Sequence, residues 1–198
     1  MKYLYSGNNN VLNHILTCFV IFNLEEVKLF TTTLCKDNSN ICRRVIFSSN
    51  RKYRYVLWDI WDNKKAKVLL IGINPSVADE YNDDRTVKMC RKRVKLMNNQ
   101  IFGGFYLVNL FAYVEKTWNS INTSRDPVGK ENDKIIVKYA EMSEKIIVFW
   151  GNKGSWHYRN CEVLELLKKR DLYCYGKTIK MHPKHISRLP NSQSLVKY

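Results

Sequence analysis

The sequence predicts an α/β protein, a three-layer sandwich around a central, mostly parallel four-stranded sheet, with an extension at the N-terminus. Two observations carry this. Four short apolar runs, 68–71, 105–111, 145–149 and 173–175, alternate with segments of helical length and pattern. That order places helices on both faces of a parallel sheet. The first run, Val68-Leu69-Leu70-Ile71, contains no polar residue, as in a strand covered on both faces.

Along the chain, residues 1–50 mix Asn-rich turns with short apolar runs and are expected to form the N-terminal extension, β-rich or lying as a cap on the main sheet. The main domain is expected over 51–198. Its first segment, 51–62, interleaves Tyr53, Tyr55, Trp58 and Trp61 with basic residues. Such a pattern suits base-stacking platforms, but aromatics at strand spacing more often pack inward, so Trp58 and Trp61 are expected in the core or a pocket wall. After the 68–71 strand, Gly72 permits close backbone approach, and Pro75 ends the ladder and biases Asn74 toward an extended conformation. Ligands of open α/β sheets bind beyond the carboxyl ends of the strands. Asn74 is therefore either a site residue or part of a simple Asn-Pro-Ser turn.

An acidic loop follows, with Thr86 or Asp84 capping a helix over 87–97 whose Lys88, Arg91, Lys92, Arg93 and Lys95 form a basic face. Asn98-Asn99-Gln100 and Gly103-Gly104 close that helix. Further helices are expected over 132–142 and 161–170. Polar residues stand at the strand ends: Asn74, Asn109, the Trp150-Gly151 turn and His182 in the last connection.

The chain of 198 residues carries 33 Lys and Arg against 18 Asp and Glu, a net charge of +15. This excess favours a polyanion, most simply nucleic acid, although a lysine-rich proteome also yields basic proteins. Six cysteines show no Cys-x-x-Cys pair, which argues against a zinc ribbon or iron–sulfur cluster. With no secretory leader, they suggest reduced thiols in a cytoplasmic protein. The apolar stretch 15–22 is too short to span a bilayer and is expected to pack as a strand or helix, a signal anchor being the lesser alternative. No metal or cofactor is expected, and neither is a membrane partner.

Gly72-Ile73-Asn74-Pro75, Val108-Asn109-Leu110, Val148-Phe149-Trp150-Gly151 and His182-Pro183 resemble, in order, the motifs of the uracil-DNA glycosylase superfamily in its mismatch-specific and thymine-DNA branches. Over about residues 53–185 the chain also resembles an uncharacterised bacterial and phage domain family of unknown function, family 1643. That pattern includes Arg54-Tyr55-Val56-Leu57-Trp58, Asn74-Pro75-Ser76-Val77-Ala78-Asp79, Asp84-Arg85-Thr86, Asp126-Pro127-Val128-Gly129 and Asn132-Asp133.

The first resemblance implies a monomeric, monofunctional DNA glycosylase that flips a modified or mismatched base and hydrolyses its N-glycosidic bond. The bacterial and phage family suggests modified phage DNA and defence. Asn74 would position the water, Asn109 would bind the base edge, and His182 would donate to the departing base. An amide is a weak base, so a carboxylate should assist, Asp84 first and Asp79 second, with Asp83 also in that loop. Asp84 has helix capping as its competing role. The expected substrate pocket is Gly72, Ile73, Pro75, Ser76, Tyr81, Trp150, Gly151, His157 and Arg159, with Tyr81 the nearest aromatic for stacking and Arg159 either on a phosphate or facing solvent. Lys184, His185, Ile186 and Arg188 would meet DNA, with Ile186 or Leu189 as a wedge. Departures from the glycosylase pattern are Ser76 after Asn-Pro, Lys184-His185 after His-Pro, and an asparagine in place of the catalytic Asp used by another branch. The alternatives are a non-catalytic nucleic-acid-binding module of the same fold and a nucleoside or nucleotide hydrolase.

Overall fold

The four-residue run 68–71 lies at the centre of strand β6 (Ala66–Gly72), the strand around which the sheet is built. Val68, Leu69, Leu70 and Ile71 are fully buried, each contributing about 1.5–3 kcal/mol relative to exposure. Val68 and Leu70 enter one apolar core, and Leu69 and Ile71 enter the other. Alternation across a pleat thus serves two cores, so the run needs no polar face. The computed structural model describes residues 15–17, 20–24, 27–36, 42–76, 82–97, 101–190 and 192–198, with backbone only for 15–36 and 188.

β6 pairs in parallel with β7 (Phe102–Asn109) on one side and with β8 (Lys145–Val148) on the other, and β9 (Leu172–Cys174) joins β8 in parallel. The expected four-stranded parallel unit is therefore present, in the spatial order β7-β6-β8-β9. It is not the whole sheet. β5 (Arg54–Ile60) pairs antiparallel with β7, and beyond it lie β4 (Cys42–Ser48), β3 (Val27–Lys36), β2 (Val20–Leu24) and β1 (Ile15–Thr17), all antiparallel. β10 (Val196–Lys197) adds antiparallel to β9. Among the described residues the sheet thus has ten strands and is mixed, correcting the expectation of a mostly parallel four-stranded one. Of the apolar stretch 15–22, residues 15–17 fall on β1 and 20–22 on β2. The turn at position 50 lies between β4 and β5, which pair along their length.

Helix α1 (Arg85–Leu96) covers the face of Val68 and Leu70, through Val87, Cys90 and Val94. The opposite face is covered by α2 (Trp118–Asn122), α3 (Asn132–Glu141) and α4 (Arg159–Leu166). Asp84 is the N-cap of α1, its Oδ1 accepting from Val87 N at 2.8 Å. The expected closing segment 98–100 lies outside the described residues. The connection after β6 runs to one face and the connection after β8 to the other. The switch point of the sheet therefore lies between their carboxyl ends, where ligands of such sheets bind.

The basic face expected on α1 is only partly a surface. Arg93 is buried, stacked 4.6 Å above the Tyr175 ring and donating to the carbonyls of Leu189 and Gln193. Arg91 donates to Asp59 at 2.7 Å and to Asp83 at 2.6 Å, and Arg43 pairs with the same two carboxylates. Lys88, Lys92 and Lys95 remain exposed. Trp58 and Trp61 pack inward: Trp58 lies edge-on to Tyr106 and Tyr139, and Trp61 donates to Phe102 O.

Burial pushes the Asp83 carboxyl up, but hydrogen bonds and charge from Arg91 and Arg43 outweigh it and hold the group below its ordinary 3.8. A depressed folded pKa gives stability that is full above the unfolded value and is lost as pH falls through the folded one. Asp83→Asn should therefore cost about 1–3 kcal/mol at pH 7. In urea titrations its deficit relative to wild type should shrink as pH is lowered below 4.

Candidate functional site

Pairing between β6 and β7 continues past both strands, with Leu110 N donating to Gly72 O at 3.0 Å and Phe111 N to Ile73 O at 2.9 Å. Pro75, lacking an N–H, stops the β6 ladder. The Asn74 carboxamide nitrogen then donates to Pro75 O at 3.0 Å and Glu115 O at 2.8 Å. Both its protons are used in holding the loop, so the part of Asn74 left to act on a ligand is Oδ1, an acceptor.

Beside it, Gly72 and Asn109 are partners in the parallel register. A β-carbon at Gly72 would lie 2.8 Å from Asn109 Oδ1 and 3.1 Å from the Phe149 ring. The Asn109 side chain fits across β6 because position 72 has no side chain. Asn109 is 3% exposed, and its Nδ2 finds no hydrogen-bond partner among the described residues. A buried amide donor left unmade costs about 1–3 kcal/mol. Such a group calls for a ligand or a water.

Asn109 is held from behind. Asn132, fully buried at the start of α3, donates from one Nδ2 to Asn109 O and Leu110 O, both at 3.0 Å. Arg159 Nε donates to the same Leu110 carbonyl at 2.9 Å, while its other nitrogens reach Asp133 and Glu162. Arg159 is thus fully engaged within the protein, neither on a phosphate nor facing solvent. The Asp126-Pro127-Val128-Gly129 turn packs beneath this segment: Gly129, at φ +85°, donates to Asp126 Oδ1 at 2.9 Å and lies against Tyr53 and Tyr55. Burial pushes the Tyr55 hydroxyl up to about 12.

His182 reaches the same edge through its neighbour, since Gly151 N, just past β8, donates to Pro183 O at 2.9 Å. Across the edge the order is Asn109, then Gly72 and Asn74, then Gly151 with His182. His185 turns onto the α1 face, its ring 5.4 Å from Phe149 and its Nδ1 accepting from Ser187 N. Phe149 therefore touches both the Gly72 gap and His185, a role not expected from its position in an apolar strand.

Other expected site residues are placed elsewhere. Trp150 is 1% exposed, packed against Gly154 and edge-on to Tyr198, so it belongs to the core rather than a pocket wall. His157 is exposed and rests on Trp156, which packs with Phe111 and Trp118 on the α3 and α4 side of the sheet, away from Asn109. Ile186 is fully buried against α1, so it is no wedge. Asp84 gives one oxygen to its helix cap, and Asp83 is held by two arginines. Ile73 and Ser76 are half-buried, Pro75 is buried, and Lys184 is exposed. Asp79, Tyr81 and the Arg188 side chain lie outside the described residues. Among the described residues no group of three His, Cys, Asp or Glu is placed to hold a metal.

The model of a family described as protein of unknown function (DUF1643) matches residues 54–185, from the first residue of β5 through His185. The chain belongs to this family. Comparison with curated proteins and with solved structures finds no match. The DUF1643 span contains the whole parallel unit and every residue of the carboxyl edge just described, and it leaves out β1–β4 and β10. No helix among the described residues is long and apolar enough to cross a membrane.

Sequence patterns pointed to Asn74, Asn109 and His182 but missed what positions them. Asn132 looked like a helix start, and its use as a clamp shows only when α3 packs on β7. Replacing it with the near-isosteric Leu leaves two buried carbonyls without that donor. Asn132→Leu should lower unfolding stability by about 1–3 kcal/mol, read as a reduced urea midpoint with unchanged m-value.

Proposed function

We propose that this protein is a DNA glycosylase, extruding a modified or mismatched base and hydrolysing its N-glycosidic bond at the carboxyl edge of the sheet. The observation that carries the reading is the buried Nδ2 of Asn109, without a hydrogen-bond partner among the described residues, beside an Asn74 whose two amide protons are taken and whose Oδ1 is left to act. The motif resemblance supplies the reaction. The +15 charge supplies the partner.

Cleavage breaks the C1′–N bond, leaving positive charge on the deoxyribose and an electron pair on the base. Asn109 Nδ2 donates to the base edge, where negative charge grows. His182 donates from the other side of the edge. Asn74 Oδ1 accepts a hydrogen bond from the attacking water and aims its lone pair at C1′. As the C1′–O bond forms, the water loses a proton to solvent and the base anion gains one. Extrusion costs a few kcal/mol of lost stacking, offset by lysine contacts to phosphates. A base carried on phage DNA with a modified ring fits this scheme as a substrate.

A second reading, a nucleic-acid-binding module without chemistry, is favoured by one observation: Asp83 and Asp84 are both engaged in the fold. Mass spectrometry of bases freed from DNAs carrying uracil, thymine mismatches or modified cytosines separates the two. Asn109→Ala and His182→Ala should each lower base release about 100-fold while DNA affinity changes little, and Asn74→Ala should do the same. Base release undetectable with every DNA, while salt-sensitive binding persists, sinks the enzyme and leaves the module. Release from free nucleosides without DNA affinity would point instead to a nucleoside hydrolase.

A further inference from the structure

The antiparallel register of β3 and β4 sets two cysteines directly opposite each other, Cys35 and Cys42, on the rung nearest the connection between the strands. Opposed residues of an antiparallel pair have Cα atoms about 4.5 or about 5.5 Å apart, according to whether their backbones are hydrogen-bonded to each other. Both values fall within the roughly 4.4–6.8 Å that a disulfide spans. Opposed residues also share one face of the sheet. In the sequence the two stand seven positions apart, with no Cys-x-x-Cys spacing, so only the strand register brings them together.

Cys42 is half-buried at the start of β4, within reach of a small solute. Cys90 and Cys174 differ: both are buried, and burial pushes both thiols up. Exchange with a disulfide goes through the thiolate, so these two are slow. Cys42 lies opposite Ile60 of β5, and Ile60 lies opposite Gly104 near the start of β7. The pair is therefore toward the amino end of the parallel strands, away from Asn109. Beside it, Arg43 makes the ion pairs with Asp59 and Asp83.

We propose that Cys35 and Cys42 are a redox-modification site, closing reversibly to a cross-strand disulfide by exchange with a low-molecular-weight disulfide of the glutathione class. One cysteine thiolate attacks the small disulfide, forming a mixed disulfide and releasing one small thiol. The second thiolate attacks the protein sulfur of the mixed disulfide and releases the other. Two cysteine thiols lose two electrons and two protons, and one small disulfide gains them as two thiols. Opposed β-carbons stand about 4.5–5.5 Å apart, whereas a disulfide holds them at about 3.5–4.5 Å, so the bond is strained. Strained disulfides are the readily reduced ones, which keeps the pair a dithiol until oxidant accumulates. Closure ties β3 to the strand that carries Arg43. The site does not depend on the glycosylase reading.

The test equilibrates the full chain in buffers of reduced and oxidised glutathione, quenches in acid, alkylates, and digests with trypsin. Cleavage after Lys36 separates peptide 29–36 from peptide 37–43. The oxidised chain should yield these two peptides joined, lighter than their sum by two hydrogen atoms, and dithiothreitol should part them. Cys161→Ser should leave the joined species unchanged, and Cys35→Ser should abolish it. Oxidised wild type should also have a urea midpoint about 0.5–1 M above that of the reduced form, a shift absent from Cys35→Ser. Glutathione adducts without the joined peptide overturn the proposal, as do thiols left unmodified at every ratio or Cys42 joined to a cysteine other than Cys35. A joined peptide that forms only in urea, or that lowers the midpoint, overturns it in favour of a contact made by the unfolded chain.

Discussion

A hydrogen atom at position 72, where any other residue would place a carbon, sets the arrangement of the whole carboxyl edge. The Asn109 carboxamide lies across β6 in that gap, with the Phe149 ring on its other border. Because β6 pairs with both β7 and β8, the gap is reached from both neighbours at once. A methyl there would push against two groups that are themselves packed, and close-packed interiors have little slack. The supports behind Asn109 follow from the same need. Asn132 and Arg159 fix the carbonyls of Asn109 and Leu110, so the side chain that ends β7 cannot drift away from the gap.

Charge is divided by residue type. Arg43, Arg91, Arg93 and Arg159 are used inside the fold, where a planar guanidinium with several donors can serve carbonyls and carboxylates together. Lysines carry most of the exposed charge, on α1 and around the hairpin at 176–184, with Arg51, Arg85 and Arg125 also exposed. The net +15 thus overstates what arginine contributes to a surface. A partner meets mostly ammonium groups, point charges suited to tracking a phosphate backbone without fixed geometry.

The parallel unit was legible because its signals are local: apolar runs of strand length, a cap at Asp84, and helical spacing in α3 and α4. The antiparallel strands before β5 were harder, since Asn-rich turns and short runs fit strand or cap equally until β4 is seen pairing with β5. Site residues followed the same divide. Asn74 follows an apolar strand, Asn109 ends one and His182 stands in the last connection, positions that the sequence shows directly. Arg159, Trp150 and Ile186 were misplaced because exposure depends on partners distant in the chain: Asp133, Gly154 and α1 respectively. Ile179 is fully exposed, although hydropathy alone assigns an isoleucine to a core.

The arginine–aspartate cluster on α1 has a consequence for where this protein can be divided. Arg43 belongs to β4, before the span shared with the DUF1643 family, whereas Asp59, Asp83 and Arg91 lie inside it. A fragment trimmed to the shared span would expose the outer edge of β5 and take the Arg43 guanidinium away from both carboxylates. The unit of descent and the unit of folding therefore have different limits here.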